Sequence, residues 1–170
     1  LFAKPLPADL PCGESWEVVD LPDDQSRVAD GPLAGTTLAE LVASRREQLL
    51  GEVDLLLGRF PVLFKLIDAK QTLSVQVHPD DACAEGLGEP DVGKTEMWHV
   101  LQAEPGSELI CGLEPDVDKA AFEAAIPDGS VEKLMKRFKV DEGATAFVAA
   151  GTVHAIGGGI VLAEIQQNSD

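Results

Sequence analysis

Apolar and polar residues alternate along several short stretches of this chain, and such alternation predicts β-strands. Glycine- and proline-rich turns separate these stretches, and residues 20–35 are rich enough in turn formers to predict a loop. Many short strands joined by such turns are typical of a sandwich or a jelly-roll barrel, so we expect a mainly β fold. The predicted strands cover residues 14–19, 62–68, 73–78, 95–102, 107–111, 144–148 and 159–166.

Helical patterns are fewer, and we expect a few peripheral helices. Thr37 and Glu40 have the spacing of a capping box, and the leucines that follow recur at helical spacing up to Gly51, which predicts a helix over 37–50. Two further short helices are predicted at 116–125 and 130–138, as a helical insertion near 115–138. Asp80 and Asp81 follow a proline and predict the cap of another short helix. Residues 1–170 as a whole predict a single domain.

Charge and cysteine content restrict the partners. Thirty acidic residues against thirteen basic ones give a net charge of −17, which argues against nucleic acid as a partner. An anionic small molecule would need a local positive site in such a protein. The apolar runs are too short to span a membrane. Cys12, Cys83 and Cys111 are odd in number and widely spaced, so we expect reduced, mostly buried thiols in a cytoplasmic protein.

The chain has three histidines, and two of them lie in segments that suggest a metal site. Alternation along the predicted strand 73–78 points Gln76 and His78 to the same face. In the next predicted strand Glu96 and Trp98 share a face, so Trp98 is expected to wall the pocket that Glu96 enters. With His154, which follows a glycine turn, these residues offer two imidazoles, a carboxylate and an amide. Such a set suits zinc or another divalent first-row metal.

Four blocks of residues, in one order along the chain, resemble type I mannose-6-phosphate isomerases. They are Leu-Ser-Val-Gln-Val-His-Pro-Asp-Asp at 73–81, Gly-Lys-Thr-Glu-Met-Trp at 93–98, Gly-Thr-Val-His-Ala at 151–155 and Glu-Ile-Gln-Gln-Asn-Ser-Asp at 164–170. The resemblance implies a cupin jelly-roll barrel with one zinc ion at its mouth. It also implies reversible conversion of mannose 6-phosphate to fructose 6-phosphate, through an enediol intermediate.

The resemblance also implies roles for individual residues. The family's zinc ligands fall on Gln76, His78, Glu96 and His154, the set that the strand alternation indicates. Lys94 matches a lysine at the family's active site. It could be the catalytic base, or it could only bind phosphate.

Three further residues lie outside the ligand set. Glu164, on the last predicted strand, is a second candidate base, and the sequence does not choose between it and Lys94. Ser74 and Lys65 match family positions near the bound sugar phosphate. His99 alternates away from Glu96, so we expect it outside the metal cavity.

The chain also departs from the family pattern, which leaves other functions open. We expect it to be truncated at both ends relative to the family, and an arginine that the family carries beyond the position of Asp170 is not in it. His99 stands where the family pattern has tyrosine. One alternative is an iron-dependent cupin oxygenase, since His78, Glu96 and His154 form a two-histidine, one-carboxylate set. Another is a non-catalytic cupin that binds a sugar. The oligomeric state is not set by the sequence.

Overall fold

The computed structural model describes residues 12–170, and residues 1–11 lie outside the described part. Ten strands form in these residues: β1 Glu14–Val18, β2 Asp20–Leu21, β3 Asp24–Gln25, β4 Val62–Ala69, β5 Glu96–Ala103, β6 Glu108–Leu113, β7 Met135–Lys139, β8 Thr145–Val148, β9 His154–Ile156 and β10 Ile160–Gln167. Three helices accompany them: α1 Leu38–Leu50, α2 Asp81–Leu87 and α3 Lys119–Ala125. Short 3-10 segments occur at Leu56–Gly58 and Ser130–Leu134.

The strands form two main antiparallel sheets and one small hairpin. The larger sheet has the order β1-β4-β10-β5-β8, the second has the order β7-β6-β9, and β2 pairs with β3. Strand β10 is central in the larger sheet, and its first four residues, 160–163, are all buried. This fits its sequence, since a strand covered on both faces needs a continuous apolar run rather than alternation.

The main core lies between the two larger sheets because it takes side chains from both. Ile67, Trp98 and Leu162 come from the five-stranded sheet, and Leu109 and Ile156 come from the three-stranded sheet. Burial of each large apolar side chain stabilises the fold by about 1.5–3 kcal/mol. The core therefore holds the two sheets together, and three of its residues, Ile67, Trp98 and Ile156, also line the cavity of the candidate site.

Helix α1 begins at the predicted capping box. The Thr37 hydroxyl accepts a 3.1 Å hydrogen bond from the Glu40 amide, and the Glu40 carboxylate accepts a 2.8 Å bond from the Thr37 amide. Hydrogen bonds that the Thr37 amide and hydroxyl donate to the Glu40 carboxylate hold its pKa below its usual value. Val42 is the one buried residue of the helix, which makes α1 peripheral as expected.

The prediction of a strand over residues 73–78 is wrong. This segment is extended but forms a single bridge, between Gln76 and His154. The apolar residues Val75 and Val77 remain exposed. Apolar and polar side chains therefore alternate along this segment, but the apolar side chains do not pack into a core. An extended backbone gives the two-residue alternation of side chains with or without a neighbouring strand.

The predicted helix over 130–138 is also wrong. Residues 130–134 form a 3-10 turn, and residues 135–139 form β7, which pairs with β6. Val131, Leu134, Met135 and Phe138 have helical spacing, but pairing with β6 and burial of Met135 decide the structure. The helical insertion is therefore limited to α3, one 3-10 turn and the connections between them.

Three smaller expectations need correction. The region 20–35 was expected to be a loop, but it contains the β2–β3 hairpin, closed by Asp20–Gln25 pairing. Strand β9 was not predicted, because three residues are too few for a recognisable alternation. Of the three cysteines, Cys12 and Cys83 are exposed and Cys111 is half-buried, so the thiols are not mostly buried.

Within residues 12–170, none of the helices combines the length and the hydropathy that crossing a membrane requires.

Candidate metal centre

Three side chains from three separate segments meet in one place. His78 lies at the end of the extended segment, Glu96 is the first residue of β5 and His154 is the first residue of β9. Their potential ligand atoms all lie within 4.8 Å of one another. Reciprocal 2.9 Å backbone bonds between Gln76 and His154 join the extended segment to β9, and the Gly151 amide donates to the His78 carbonyl at 2.7 Å. This pairing brings the two histidines together.

The carboxylate of Glu96 lies between the two imidazoles. Its Oε1 is 3.4 Å from Nε2 of His78, and its Oε2 is 3.4 Å from Nε2 of His154. Nε2 of His78 and Oε2 of Glu96 are buried and have no hydrogen-bond partner among residues 12–170. Buried polar atoms without hydrogen bonds are costly, and a bound cation would satisfy them.

A hydrogen bond at the ring nitrogen that does not face Glu96 fixes the orientation of the His154 ring. Its Nδ1 lies 2.8 Å from the carbonyl oxygen of Thr152. A carbonyl only accepts hydrogen bonds, so Nδ1 carries the proton and Nε2 presents a lone pair toward Glu96. Metal-binding histidines in proteins are held in this way by a carbonyl or carboxylate on the other ring nitrogen.

The protonation states at this cluster suit a divalent cation. Burial lowers the pKa of His154, more than the Thr152 carbonyl and the Glu96 carboxylate raise it, which favours the neutral imidazole. Burial raises the pKa of Glu96, but the neighbouring His78 imidazole and the charge of Lys94 together hold it below its usual value. A neutral imidazole and an ionised carboxylate are the forms that bind metal.

All eight site residues predicted from the sequence line a single cavity of about 320 Å³. Gln76 lies in its wall beside His154. The carboxylates of the lining residues outnumber the ammonium groups four to two, so a divalent cation would balance their charge. The eight residues are Lys65, Ser74, Gln76, His78, Lys94, Glu96, His154 and Glu164.

A row of paired residues crosses the larger sheet and forms one wall of this cavity. Trp16 of β1 pairs with Lys65 of β4, Lys65 pairs with Glu164 of β10, and Glu164 pairs with Trp98 of β5. Residues directly opposite each other on neighbouring strands share a face. Three of the four line the cavity, so the register of the sheet places a lysine and a glutamate side by side there.

Glu164 is held by its neighbour on β5. The indole Nε1–H of Trp98 donates a 2.8 Å hydrogen bond to Oε2 of Glu164, and both side chains are buried. Burial, followed by the charge of Glu96, raises the pKa of Glu164 above its usual value. A carboxyl with a raised pKa, beside a cavity, is suited to accepting and returning a proton.

The two lysines of the cavity have different surroundings. Lys94 Nζ lies 3.3 Å from Oε1 of Glu96. Lys65 is buried, with Nζ 4.6 Å from the ring centroid of Trp16 and 3.8 Å from Oδ1 of Asp170. Both lysines can therefore present positive charge inside a strongly acidic protein.

Sequence reasoning missed part of this site. Trp16 packs against a small core cluster and also lies over Lys65, a contact that the sequence did not predict. Glu14 and Asp170 line the cavity and were not considered. No local pattern could have revealed these neighbours, because they are distant in sequence from the residues that they meet. His99 is not among the lining residues, and its Nδ1 lies 2.9 Å from the hydroxyl of Thr145.

Comparisons with known proteins decide the family. A family model described as the catalytic domain of type I phosphomannose isomerase matches residues 2–98. The chain belongs to this family. It is 40% identical over 158 residues to the mannose-6-phosphate isomerase ManA of Bacillus subtilis, a match that covers 93% of this chain and 49% of that protein. It is 41% identical over 170 residues to a mannose-6-phosphate isomerase of Streptococcus mutans, covering 99% and 52%.

Solved structures of this family have the same fold. The crystal structure of the Bacillus subtilis mannose 6-phosphate isomerase matches with a TM-score of 0.84 at 39% identity, covering 93% of this chain and 49% of that one. A zinc-bound mannose 6-phosphate isomerase matches with a TM-score of 0.70 at 20% identity, covering 100% and 63%. These matches confirm the predicted fold class. The chain spans about half the length of the curated relatives it matches.

Proposed function

We propose that this chain is the single catalytic domain of a zinc-dependent isomerase that interconverts mannose 6-phosphate and fructose 6-phosphate. The observation that carries the proposal is the cluster of His78, Glu96 and His154, with buried unpartnered atoms, at a cavity that also holds Lys94 and Glu164. Membership of the isomerase family supports the reaction and the sugar phosphate substrate. The relatives named above carry this activity in their names.

The donor set fits zinc. Two imidazoles and one carboxylate are a usual zinc shell that leaves a position open, and Gln76 in the same cavity supplies a possible fourth donor. A zinc ion bound here would act as a Lewis acid on the neighbouring substrate oxygens. The assignment of zinc rests on the donor set of this chain.

Isomerisation moves a proton between C1 and C2 of the open-chain sugar, through an enediol. We assign the proton transfer to Glu164, because its carboxyl is buried with a raised pKa and one of its oxygens is held by Trp98. The other oxygen is then free to accept the substrate proton and return it to the adjacent carbon. Lys94, as an ammonium group beside Glu96, supplies positive charge for the oxyanion that develops in this step.

The phosphate group of the substrate needs positive charge away from the reacting carbons. Lys65 offers it, because it lies in the same cavity and its side chain is fixed against Trp16. Ser74 lines the cavity as well and can donate a hydroxyl hydrogen bond. Together they would hold an anionic ligand that the net charge of the protein otherwise repels.

Metal analysis and a coupled assay test this proposal. The purified chain is loaded with zinc, and fructose 6-phosphate formation from mannose 6-phosphate is followed. In deuterium oxide the product should gain deuterium at the carbon that receives the proton. Glu164→Gln should abolish this incorporation, whereas Lys94→Ala should slow turnover sharply but keep the metal. Incorporation that survives in Glu164→Gln would move the base role to Lys94.

A second candidate function comes from the same three ligands. A two-histidine, one-carboxylate set also binds iron in oxygenases. Activity with iron and oxygen uptake, without isomerisation, would favour that function. Binding of sugar phosphate without turnover would favour a non-catalytic sugar-binding role for the chain.

A further inference from the structure

Asp81 does not have the role that its position in the sequence suggests. Asp80 caps α2, since its Oδ1 accepts a 2.7 Å hydrogen bond from the Cys83 amide. The carboxylate of Asp81 reaches elsewhere: its Oδ1 accepts from the Gly93 amide at 2.9 Å and from Nε2 of Gln167 at 3.0 Å. Asp81 therefore connects α2 to the segment that carries Lys94.

Three successive backbone amides around Lys94 are all bound, although none of the three residues is in a strand. The Gly93 amide donates to Asp81, the Lys94 amide donates to the Pro79 carbonyl at 3.0 Å, and the Thr95 amide donates to Oε1 of Gln167 at 2.8 Å. We refer to these three bonds as the amide latch. Because Pro79 directly follows His78, the latch also ties Lys94 to one of the proposed metal ligands.

The amide latch can form only because residue 93 is a glycine and has no Cβ atom. A Cβ atom on Gly93 would lie 2.5 Å from the Asp80 carbonyl carbon, 2.6 Å from the Asp81 nitrogen and 2.7 Å from the Pro79 oxygen. All three are backbone atoms at the start of α2, so no side-chain rotation could relieve the overlap. Any other residue at this position would push the two segments apart.

We propose that Gly93 and Asp81 are positioning residues that hold Lys94 in its place in the active site. This inference rests on the proposed function of Lys94. A lysine side chain has about 2 kcal/mol of rotamer entropy, so a fixed backbone on both sides of it restricts where its ammonium group can lie. Lys94 then lies 3.3 Å from Glu96. A displacement of about 1 Å in such a group can reduce turnover roughly a hundredfold.

Two matched pairs of variants test the proposal in the zinc-loaded protein. Gly93→Ala is compared with Gly86→Ala, because a Cβ at Gly86 meets nothing within 4 Å. Asp81→Ala is compared with Glu85→Ala, which removes an exposed carboxylate from the same helix. We expect Gly93→Ala and Asp81→Ala to lower kcat about tenfold or more, with unchanged zinc content and a smaller change in KM. Asp81→Asn should recover most of the loss, because its amide oxygen can still accept both bonds.

A double mutant separates positioning from a general loss of stability. In the Lys94→Ala background, Asp81→Ala should cause no further loss of kcat. An equal loss of kcat in the presence and absence of the Lys94 side chain would overturn the proposal.

Chemical labelling of lysine provides a readout that does not depend on activity. The Lys94 side chain is 12% exposed and paired with Glu96, so an amine-reactive reagent should label it slowly. Labelling measured by mass spectrometry should rise in Gly93→Ala and Asp81→Ala but not in the two controls. If labelling stays at the wild-type level in both, the latch does not position Lys94. If Lys94→Ala keeps full turnover, the function proposed for Lys94 fails, while the labelling result still decides on the latch.

Discussion

The indole of Trp98 contacts both Glu164 and His154. Its Nε1–H donates the 2.8 Å hydrogen bond to Glu164, and its ring meets the His154 ring edge-on, with centroids 5.4 Å apart. Trp98 is 1% exposed and belongs to the main core. One buried side chain therefore contacts both the proposed base and a proposed metal ligand and connects them to the main core.

Replacing Trp98 with phenylalanine should destabilise the fold and raise the pKa of Glu164 further. The variant keeps an aromatic ring but leaves a buried carboxylate oxygen without its donor, which costs about 1–3 kcal/mol of unfolding free energy. Because the indole bond lowers the pKa of Glu164, its loss should shift the acid limb of the pH–rate profile upward. Denaturant unfolding and pH–rate profiles measure the two effects. An acid limb that stays at its wild-type position in Trp98→Phe would show that the indole does not act through Glu164.

Replacing His78 with alanine should remove the metal and the activity together. His78 supplies one of the three atoms that converge within 4.8 Å, and no other described histidine or carboxylate lies in that cluster to substitute for it. Elemental analysis after dialysis measures bound zinc, and the coupled assay measures turnover. His99→Ala is the matched control, since His99 lies outside the cavity and should leave zinc content unchanged. Full zinc content in His78→Ala would refute the ligand assignment.

Zinc should stabilise the folded protein. A ligand that binds only the folded state adds about 2.7 kcal/mol at a concentration one hundred times its Kd. The Tm should therefore rise when zinc is added to chelator-treated protein and fall again with excess chelator. His154→Ala should abolish most of this rise, because it removes the imidazole whose Nε2 lies 3.4 Å from Glu96. A rise of equal size in His154→Ala would indicate that zinc binds elsewhere.

The raised pKa of Glu164 should be visible in the pH dependence of stability of the metal-free protein. The folded state retains a proton that the unfolded chain releases near pH 4.5, the ordinary pKa of a glutamate side chain. Stability attributable to this group is therefore fully present below pH 4.5 and decreases as the pH rises toward the higher folded-state pKa. Relative to Glu164→Gln, the wild-type protein should lose unfolding free energy over this range. Parallel stability curves for the two proteins would contradict the prediction.

The sequence predicted most strands of this fold to within two residues because their alternation or apolar runs are local properties. It also predicted α1, since Thr37, Glu40 and Gly51 act on the backbone within a few residues of their own positions. It failed at 130–138, where the helical spacing of Val131 and Leu134 conflicts with pairing to β6. It failed at 73–78 because alternation does not reveal whether a partner strand exists.

The candidate site was likewise predicted in part from the sequence and in part only from the structure. Residue types and spacing, together with the family resemblance, selected Gln76, His78, Glu96 and His154, and these four line one cavity. The row that places Lys65 beside Glu164, and Glu164 beside Trp98, depends on strand register between distant segments. The role of Asp81 was misjudged for a related reason, since its partners are 12 and 86 residues away.

The sequence by itself determined the chemical groups of this protein: which side chains can bind a cation, which can carry a proton, and where local patterns start and end elements. Tertiary structure decided which of those groups meet, through sheet register, the single bridge at Gln76 and the close approach that Gly93 permits. The physical reason is the distance along the chain over which each kind of interaction acts. Capping and alternation act over a few residues, whereas burial, charge pairing and metal geometry depend on atoms that only folding brings within a few ångströms of each other.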